Sequence, residues 1–153
     1  MKSAVVIRSA ERADLSGILE VLHEGDLMSD DVADHLDTFF VAESEGVIVG
    51  VIGIELHGKT GLLRSAAVLP SHRNRGIADR LVNRVDEVAR EYGLDELILL
   101  TTTSAGYFAR KGFAPVDRNA LTGAVLSSSQ FHGACPATAV SMRKQLNARN
   151  SRR

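Results

Sequence analysis

The pattern that most narrows the fold lies between residues 39 and 92. "FFVAESEGVIVGVIGIELHGKTGLLRSAAVL", from Phe39 to Leu69, is β-rich and broken at Glu45-Gly46 and at Gly58-Lys59-Thr60-Gly61. Breaks of that composition are turns, so the run reads as three successive antiparallel strands. Pro70 closes it, and a helical pattern follows from about Arg75 to Tyr92. Ile77, Leu81, Val85, Val88 and Tyr92 recur at helical spacing and line one face. A meander that hands over to a strand–helix–strand crossover is a mixed α/β sheet, not a doubly wound dinucleotide fold.

The flanks agree. Ala4 to Ala10 reads as a strand, and Ala13 to Gly25 as a helix carrying Leu15, Ile18, Leu19 and Leu22, with Asp14 as cap and Gly25 as stop. Ser29 to Phe39 reads as a second short helix. Beyond Gly93, Asp95 to Thr103 is a strand, Ser104 to Gly112 a short helix, "FAPVD" the start of a strand and Ala137 to Lys144 the final strand. Residues 119–136 show no clear period. A chain of 153 residues suits one domain, expected over 1–146, with the polar tail 147–153 disordered.

Composition removes several functions. A hydrophobic share of 44% with 24% charged residues is that of a soluble globular protein. The net charge of −1 predicts no broad attraction to nucleic acid or membrane. Cys135 is the sole cysteine, which excludes an internal disulfide and a Cys-rich zinc site, and no metal is expected. The N-terminus has too short an apolar run for a signal peptide, and no window reaches the length of a membrane span. The expected location is cytoplasmic.

The junction "AAVLPSHRNRGIA" raises an electrostatic question. Arg73 and Arg75 stand where a helix begins, yet that end of the helix dipole is positive and disfavours cations. A bound anion removes the conflict, because first-turn N–H groups lack intrahelical partners and arginine adds charge-assisted hydrogen bonds. Gly76 permits positive φ or a close approach, and small Ala78 leaves room. There is no GxxxxGK[ST] and no GxGxxG, so neither the P-loop nor the dinucleotide fingerprint is present.

The motif that is present, R-x-x-G-x-A at Arg73, Gly76 and Ala78, follows "AAVLP" and precedes a long helix. In that context the chain resembles the GNAT superfamily of acyl-CoA-dependent N-acyltransferases. "FARKGF", Phe108 to Phe113, and the opening "IRSAERADL" are similar to further GNAT features, so the likeness covers about residues 4–145. It implies a single-domain GNAT-like, mostly antiparallel mixed sheet flanked by helices. It also implies acetyl-CoA as co-substrate, with its pyrophosphate held by Arg73, Asn74, Arg75, Gly76, Ile77 and Ala78. Its pantetheine arm would pair like a strand with Ala67 and Val68, and Phe108 would lie beside it. "LLTTTSAGYFARKGFAPVD" resembles short N-acetylglutamate-synthase-like members. "GLLRSAAVLP" with "QFHGACPATAVSMRK" resembles acetyltransferase-like proteins associated with arsenic resistance. Both imply a small amino-acid-like acceptor amine, glutamate-like or a phosphinic or arsenical analogue.

The catalytic groups depart from the family pattern. Many GNATs carry a Glu where this chain has Leu62, so Glu55 and His57 on the preceding strand are substitutes for the base by proximity; Glu55 as a sheet-surface carboxylate is the alternative. Many GNATs carry Tyr at Phe108. Here Tyr107 is the candidate acid, or else a packing aromatic. Arg64, inside an apolar run, needs an anionic partner. That partner is either an internal Asp or Glu or an acceptor carboxylate. Thr103, at the end of "TTT", and Cys135 are placed near the acceptor, with a plain buried thiol the alternative for Cys135. Two other functions stay open: acetylation of a protein or peptide amine, and a non-catalytic acyl-CoA sensor. Residues 119–136 offer a homodimer interface or a lid.

Overall fold

The computed structural model describes residues 4–27, 29–121, 123–128, 131 and 139–146. In chain order its elements are β1 (Val5–Ser9), α1 (Leu15–Glu24), β2 (Phe39–Ser44), β3 (Val47–His57), β4 (Thr60–Val68), α2 (Ile77–Glu91), β5 (Glu96–Thr101), α3 (Ala105–Arg110), β6 (Ala114–Pro115) and β7 (Val140–Gln145). The strands form a seven-stranded sheet in the order β1-β2-β3-β4-β5-β7-β6. β1–β2, β2–β3, β5–β7 and β6–β7 pair antiparallel, whereas β4–β5 is parallel. This is the mixed, mostly antiparallel α/β sheet flanked by helices that the element order predicts. Among the described residues, no helix is long and apolar enough to cross a membrane.

The boundaries differ where tertiary contacts override local pattern. The expected helix over Ser29–Phe39 is a tighter 3₁₀ segment, Val32–Thr38. Asp14 does not cap α1 through its side chain. Its carboxylate instead accepts two hydrogen bonds from the Arg8 guanidinium, at 2.8 and 2.9 Å, and one from the Glu11 N–H at 2.7 Å. Tyr92 is 56% exposed and leaves the predicted apolar face, because α2 stops one residue before it. Buried Val82 and Ala89 join that face in its place.

Two compact units make up the chain. One comprises the described residues of Met1–Glu55 and Leu63–Val88, the other those of Leu56–Leu62 and Ala89–Arg153. In the first, Ile18, Val21 and Leu22 of α1 pack with Val32, Leu36, Phe39, Val41 and Val51. Each large side chain so buried contributes roughly 1.5–3 kcal/mol. Ala67 and Leu69 pack against the same cluster. Phe39 faces Gly53 across the β2–β3 ladder, and a Cβ at Gly53 would lie 2.4–2.7 Å from its ring. Only glycine admits the ring there, since no real Cβ tolerates such contacts.

In the second unit, Leu62, Ile98, Leu121 and Val125 form a core cluster. Phe108 and Phe113 meet edge to face with ring centroids 5.7 Å apart. The β4–β5 ladder runs only from Thr60↔Glu96 to Leu62↔Ile98, although both strands continue past it.

Candidate active site

The expected rail and anion loop belong to the first unit. After β4, the Leu69 N–H donates to the Val49 carbonyl at 2.8 Å, and Pro70–His72 turns once in 3₁₀ geometry. Arg73 then folds back, its Nε donating to the Val68 carbonyl at 3.0 Å. Asn74 and Gly76 both have left-handed backbones, at φ +64° and +78°. The Arg80 N–H donates to the Gly76 carbonyl at 3.1 Å, so Gly76 opens α2 and the first-turn N–H groups follow it. A Cβ on Gly76 would meet nothing within 4 Å. The glycine therefore answers to its backbone angle and to open space beyond it, not to close packing. Arg73, Asn74, Arg75 and Gly76 are exposed, Ala78 is half-buried and Ile77 is buried as the anchor of the helix.

An exposed loop of left-handed backbone and arginines, with a 15-residue helix starting directly after Gly76, suits an anion such as the pyrophosphate of coenzyme A. Ala67 and Val68 are half-buried beside the loop. Gly50 of β3 packs close to α2, since a Cβ there would stand 3.1 Å from Leu81 Cδ1.

Three residues before Ala67 lies a buried ionic cluster. The Arg64 side chain is 0% exposed and Glu55 2%. Arg64 Nη1 donates to Glu55 Oε2 at 2.6 Å and to Asp31 Oδ2 at 3.1 Å, Nη2 donates to Asp31 Oδ1 at 2.7 Å, and Nε donates to Ser65 Oγ at 3.1 Å. The guanidinium carbon lies 5.7 Å from the centroid of the Phe39 ring. Burial opposes the guanidinium charge most strongly, but the hydrogen bonds that Arg64 donates to Asp31 and Glu55, with their negative charges, together outweigh it and raise the Arg64 pKa. Of the two partners expected for Arg64, the structure shows the internal carboxylates. Glu55 is not a sheet-surface carboxylate but a buried member of this cluster.

Ser65, next in sequence, has φ +59° inside a strand. A left-handed backbone costs a non-glycine residue roughly 1–2 kcal/mol, so the surrounding contacts must hold it there. Asp31 and Ser65 belong to this cluster without any local sequence pattern that marks them, and His35 stands beside it, its Nε2 3.5 Å from Asp31 Oδ2. Asp31 and His35 stand four apart in "SDDVADHL"; the need of a buried arginine for carboxylates is the available signal for Asp31 alone. Nothing local marks Ser65.

The other candidates belong to the second unit. Leu62 is fully buried in its core. Phe108 is 7% exposed, with its ring packed on Phe113 and with the Tyr107 ring edge-on at 5.1 Å. Tyr107 is half-buried, and the Arg110 guanidinium carbon lies 5.9 Å from its ring centroid. Thr103 is exposed in the bend after β5, while the Thr101 hydroxyl accepts the Ser104 N–H at 3.0 Å where α3 starts. Cys135 lies outside the described residues.

Comparison with known proteins identifies the family and the fold. Residues 7–113 match the acetyltransferase (GNAT) family. An uncharacterized N-acetyltransferase of Chlorobaculum tepidum is 32% identical over 120 residues, covering 73% of this chain and 77% of that protein. An amino-acid acetyltransferase of Pseudomonas putida is 34% identical over 119 residues, covering 72% of this chain but 28% of that longer protein. The fold is shared with N-acetylglutamate synthase from Neisseria gonorrhoeae in complex with coenzyme A and N-acetyl-glutamate. There the TM-score is 0.81 at 22% identity, over 95% of this chain and 36% of that one. It is shared also with Rv2747 from Mycobacterium tuberculosis in complex with coenzyme A, at TM-score 0.80 and 23% identity over 92% and 99% of the two chains. With most of its length matched and the helix-entry loop in place, the chain belongs to the acetyltransferase (GNAT) family.

Proposed function

We propose that this chain moves the acetyl group of acetyl-CoA to the amine of a small amino-acid-like acceptor by direct attack on the thioester. The observation that carries this reading is the loop from Val68 to Ala78. It places left-handed Asn74 and Gly76, exposed Arg75 and the start of α2 directly after the rail strand. First-turn N–H groups and Arg75 take the pyrophosphate, and Arg73 ties the loop to the rail through the Val68 carbonyl. Strand N–H groups around Ala66–Val68 polarise the thioester carbonyl, as an oxyanion hole does. Tyr107 is assigned to protonating the departing thiolate. Buried Phe108 supports its neighbour by packing, and Thr103 is assigned to the acceptor side. Similarity to amino-acid acetyltransferases supports an amino-acid-like acceptor; within that class we propose a glutamate-like compound or its phosphinic or arsenical analogue.

Thiol release from acetyl-CoA, measured across glutamate, glutamine, amino-phosphinic and amino-arsenical compounds and a peptide amine, tests the proposal. Turnover of a small amino acid is expected. Turnover of the peptide alone overturns the acceptor class. A melting-temperature rise with acetyl-CoA but no turnover across the panel favours a sensor, a reading that buried Leu62 in place of the usual Glu keeps in play. Absence of any rise overturns the cofactor site.

A further inference from the structure

The backbone of the rail strand β4 departs from strand geometry at Ser65, whose φ of +59° lies in the left-handed region. The strand changes character at the same place. Gly61 to Arg64 are all buried, whereas Ser65, Ala67 and Val68 are half-buried and Ala66 is exposed. A left-handed residue breaks the alternation of a strand, so it resets which way the following N–H groups point. Glycine and asparagine take this conformation readily and serine does not. Contacts of its side chain therefore have to hold Ser65 there.

Arg64 supplies the contact. Its Nε donates to Ser65 Oγ at 3.1 Å, while Nη1 donates to Glu55 and Asp31 and Nη2 to Asp31. A guanidinium is a rigid planar fork. Fixing its Nη groups on Glu55 of β3 and on Asp31, at the head of the 3₁₀ segment, fixes the direction of its Nε–H as well. The Phe39 ring, with its centroid 5.7 Å from the guanidinium carbon, adds a further contact.

The far end of the segment is also held. The peptide unit joining Val68 to Leu69 has its N–H on the Val49 carbonyl at 2.8 Å, and its own carbonyl accepts from Arg73 Nε at 3.0 Å. Ala66, Ala67 and Val68 thus lie between two fixed points, one at Ser65 and one at that peptide. These are the residues whose N–H groups the acetyltransferase reading assigns to the thioester carbonyl. Such donors act only when they are aimed beforehand at the place where charge develops.

We propose that Arg64 and Ser65 are positioning residues for acetyl transfer. The bond from Arg64 Nε to Ser65 Oγ keeps Ser65 left-handed, and that backbone angle aims the Ala66–Val68 N–H groups at the thioester carbonyl oxygen. The proposal rests on the acetyltransferase reading above. On this account Arg64 acts through the rail strand and not on an acceptor carboxylate.

The test uses Ser65→Ala, Ser65→Gly and Arg64→Lys. Alanine removes the hydroxyl and resists the left-handed angle; glycine removes the hydroxyl but takes that angle freely. Lysine keeps the charge of Arg64 but not its fork. At saturating acceptor and acetyl-CoA, Ser65→Ala should lose roughly tenfold or more in kcat, since removing one oxyanion donor outright costs about 10²–10³-fold. Ser65→Gly should run at least about fivefold faster than Ser65→Ala, because it regains the angle without the hydroxyl. The KM for acetyl-CoA should stay within about threefold in both, a split that a merely weakened fold does not produce. Arg64→Lys should fall with Ser65→Ala and recover when Ser65→Gly is added; if Arg64→Lys does not fold, the two Ser65 variants decide.

Infrared spectra of bound acetyl-CoA, isotope-labelled at the thioester carbonyl, read the aim of the N–H groups directly. Relative to free acetyl-CoA, the carbonyl band should move to lower frequency in wild type and in Ser65→Gly, and return toward the free position in Ser65→Ala. A Ser65→Ala variant within about threefold of wild type in kcat, or with the wild-type carbonyl band, would overturn the proposal. So would a wild type whose carbonyl band does not move. Ser65→Gly falling as far as Ser65→Ala would overturn it too, since the hydroxyl would then act on something other than the backbone angle. A wild type that shows the carbonyl shift but acetylates nothing removes the acetyltransferase reading and leaves the positioning of the carbonyl standing.

Discussion

Replacing Arg64 by Met keeps most of the side-chain volume and removes the charge. Four hydrogen bonds disappear, one of them the 2.6 Å bond to Glu55. The two carboxylates then fare differently. Asp31 is partly exposed and recovers water; Glu55, 2% exposed, does not. Breaking a buried ion pair from one side costs about 3–5 kcal/mol, because the remaining charge is left uncompensated. For a chain of this length that is roughly 6–20 °C in melting temperature, at about 2–4 °C per kcal/mol. Urea unfolding followed by far-UV circular dichroism is the suitable assay, since the chain contains no tryptophan. Adding Glu55→Gln to Arg64→Met should recover about 1–3 kcal/mol, the difference between stranding a charge and stranding a neutral amide. The single variant should also lose less stability on mild acidification than wild type, because protonating Glu55 relieves it. A cost under about 1 kcal/mol, unchanged by Glu55→Gln, would refute the view that Arg64 is the counter-ion of the cluster.

Gly53→Ala should cost about 1–3 kcal/mol or more in a thermal or urea melt, because its Cβ would stand 2.4 Å from the buried Phe39 ring. Gly76→Ala meets no atom and should cost only about 1–2 kcal/mol of backbone energy, yet weaken acetyl-CoA binding in calorimetry; unchanged affinity would separate the loop from the cofactor. For Asp14, the hydrogen bonds from Arg8 hold the carboxyl below its ordinary pKa of 3.8 against the opposing effect of burial. Its folded pKa is therefore depressed, so its stabilisation is present above about pH 4 and is lost as pH falls below that. Asp14→Asn should be less stable than wild type at neutral pH, and the two acid-unfolding curves should converge at low pH.

Local signals were enough for the scaffold. The two hairpin turns, the three strands between Phe39 and Val68 and the helix from Ile77 depend on periodicity and turn chemistry within a few residues, and both are written in the chain. The loop proposed to hold an anion was legible for the same reason, since its arginines, its glycine and its helix are consecutive. Arg64 was legible only as a demand. A buried cation must have a partner, but Asp31 stands 33 positions earlier and Glu55 nine, and only the folded β3–β4 hairpin with the 3₁₀ segment brings them together. The same holds for Tyr92, which keeps the helical spacing but falls past the end of α2, and for Ser65, whose left-handed backbone follows from its neighbours and not from its own propensity. Sequence alone determined most of the strands and helices and the loop that opens α2, because those follow from short-range chemistry. Tertiary structure decided which charges meet, because pairing in a low-dielectric interior depends on distances that no local pattern records.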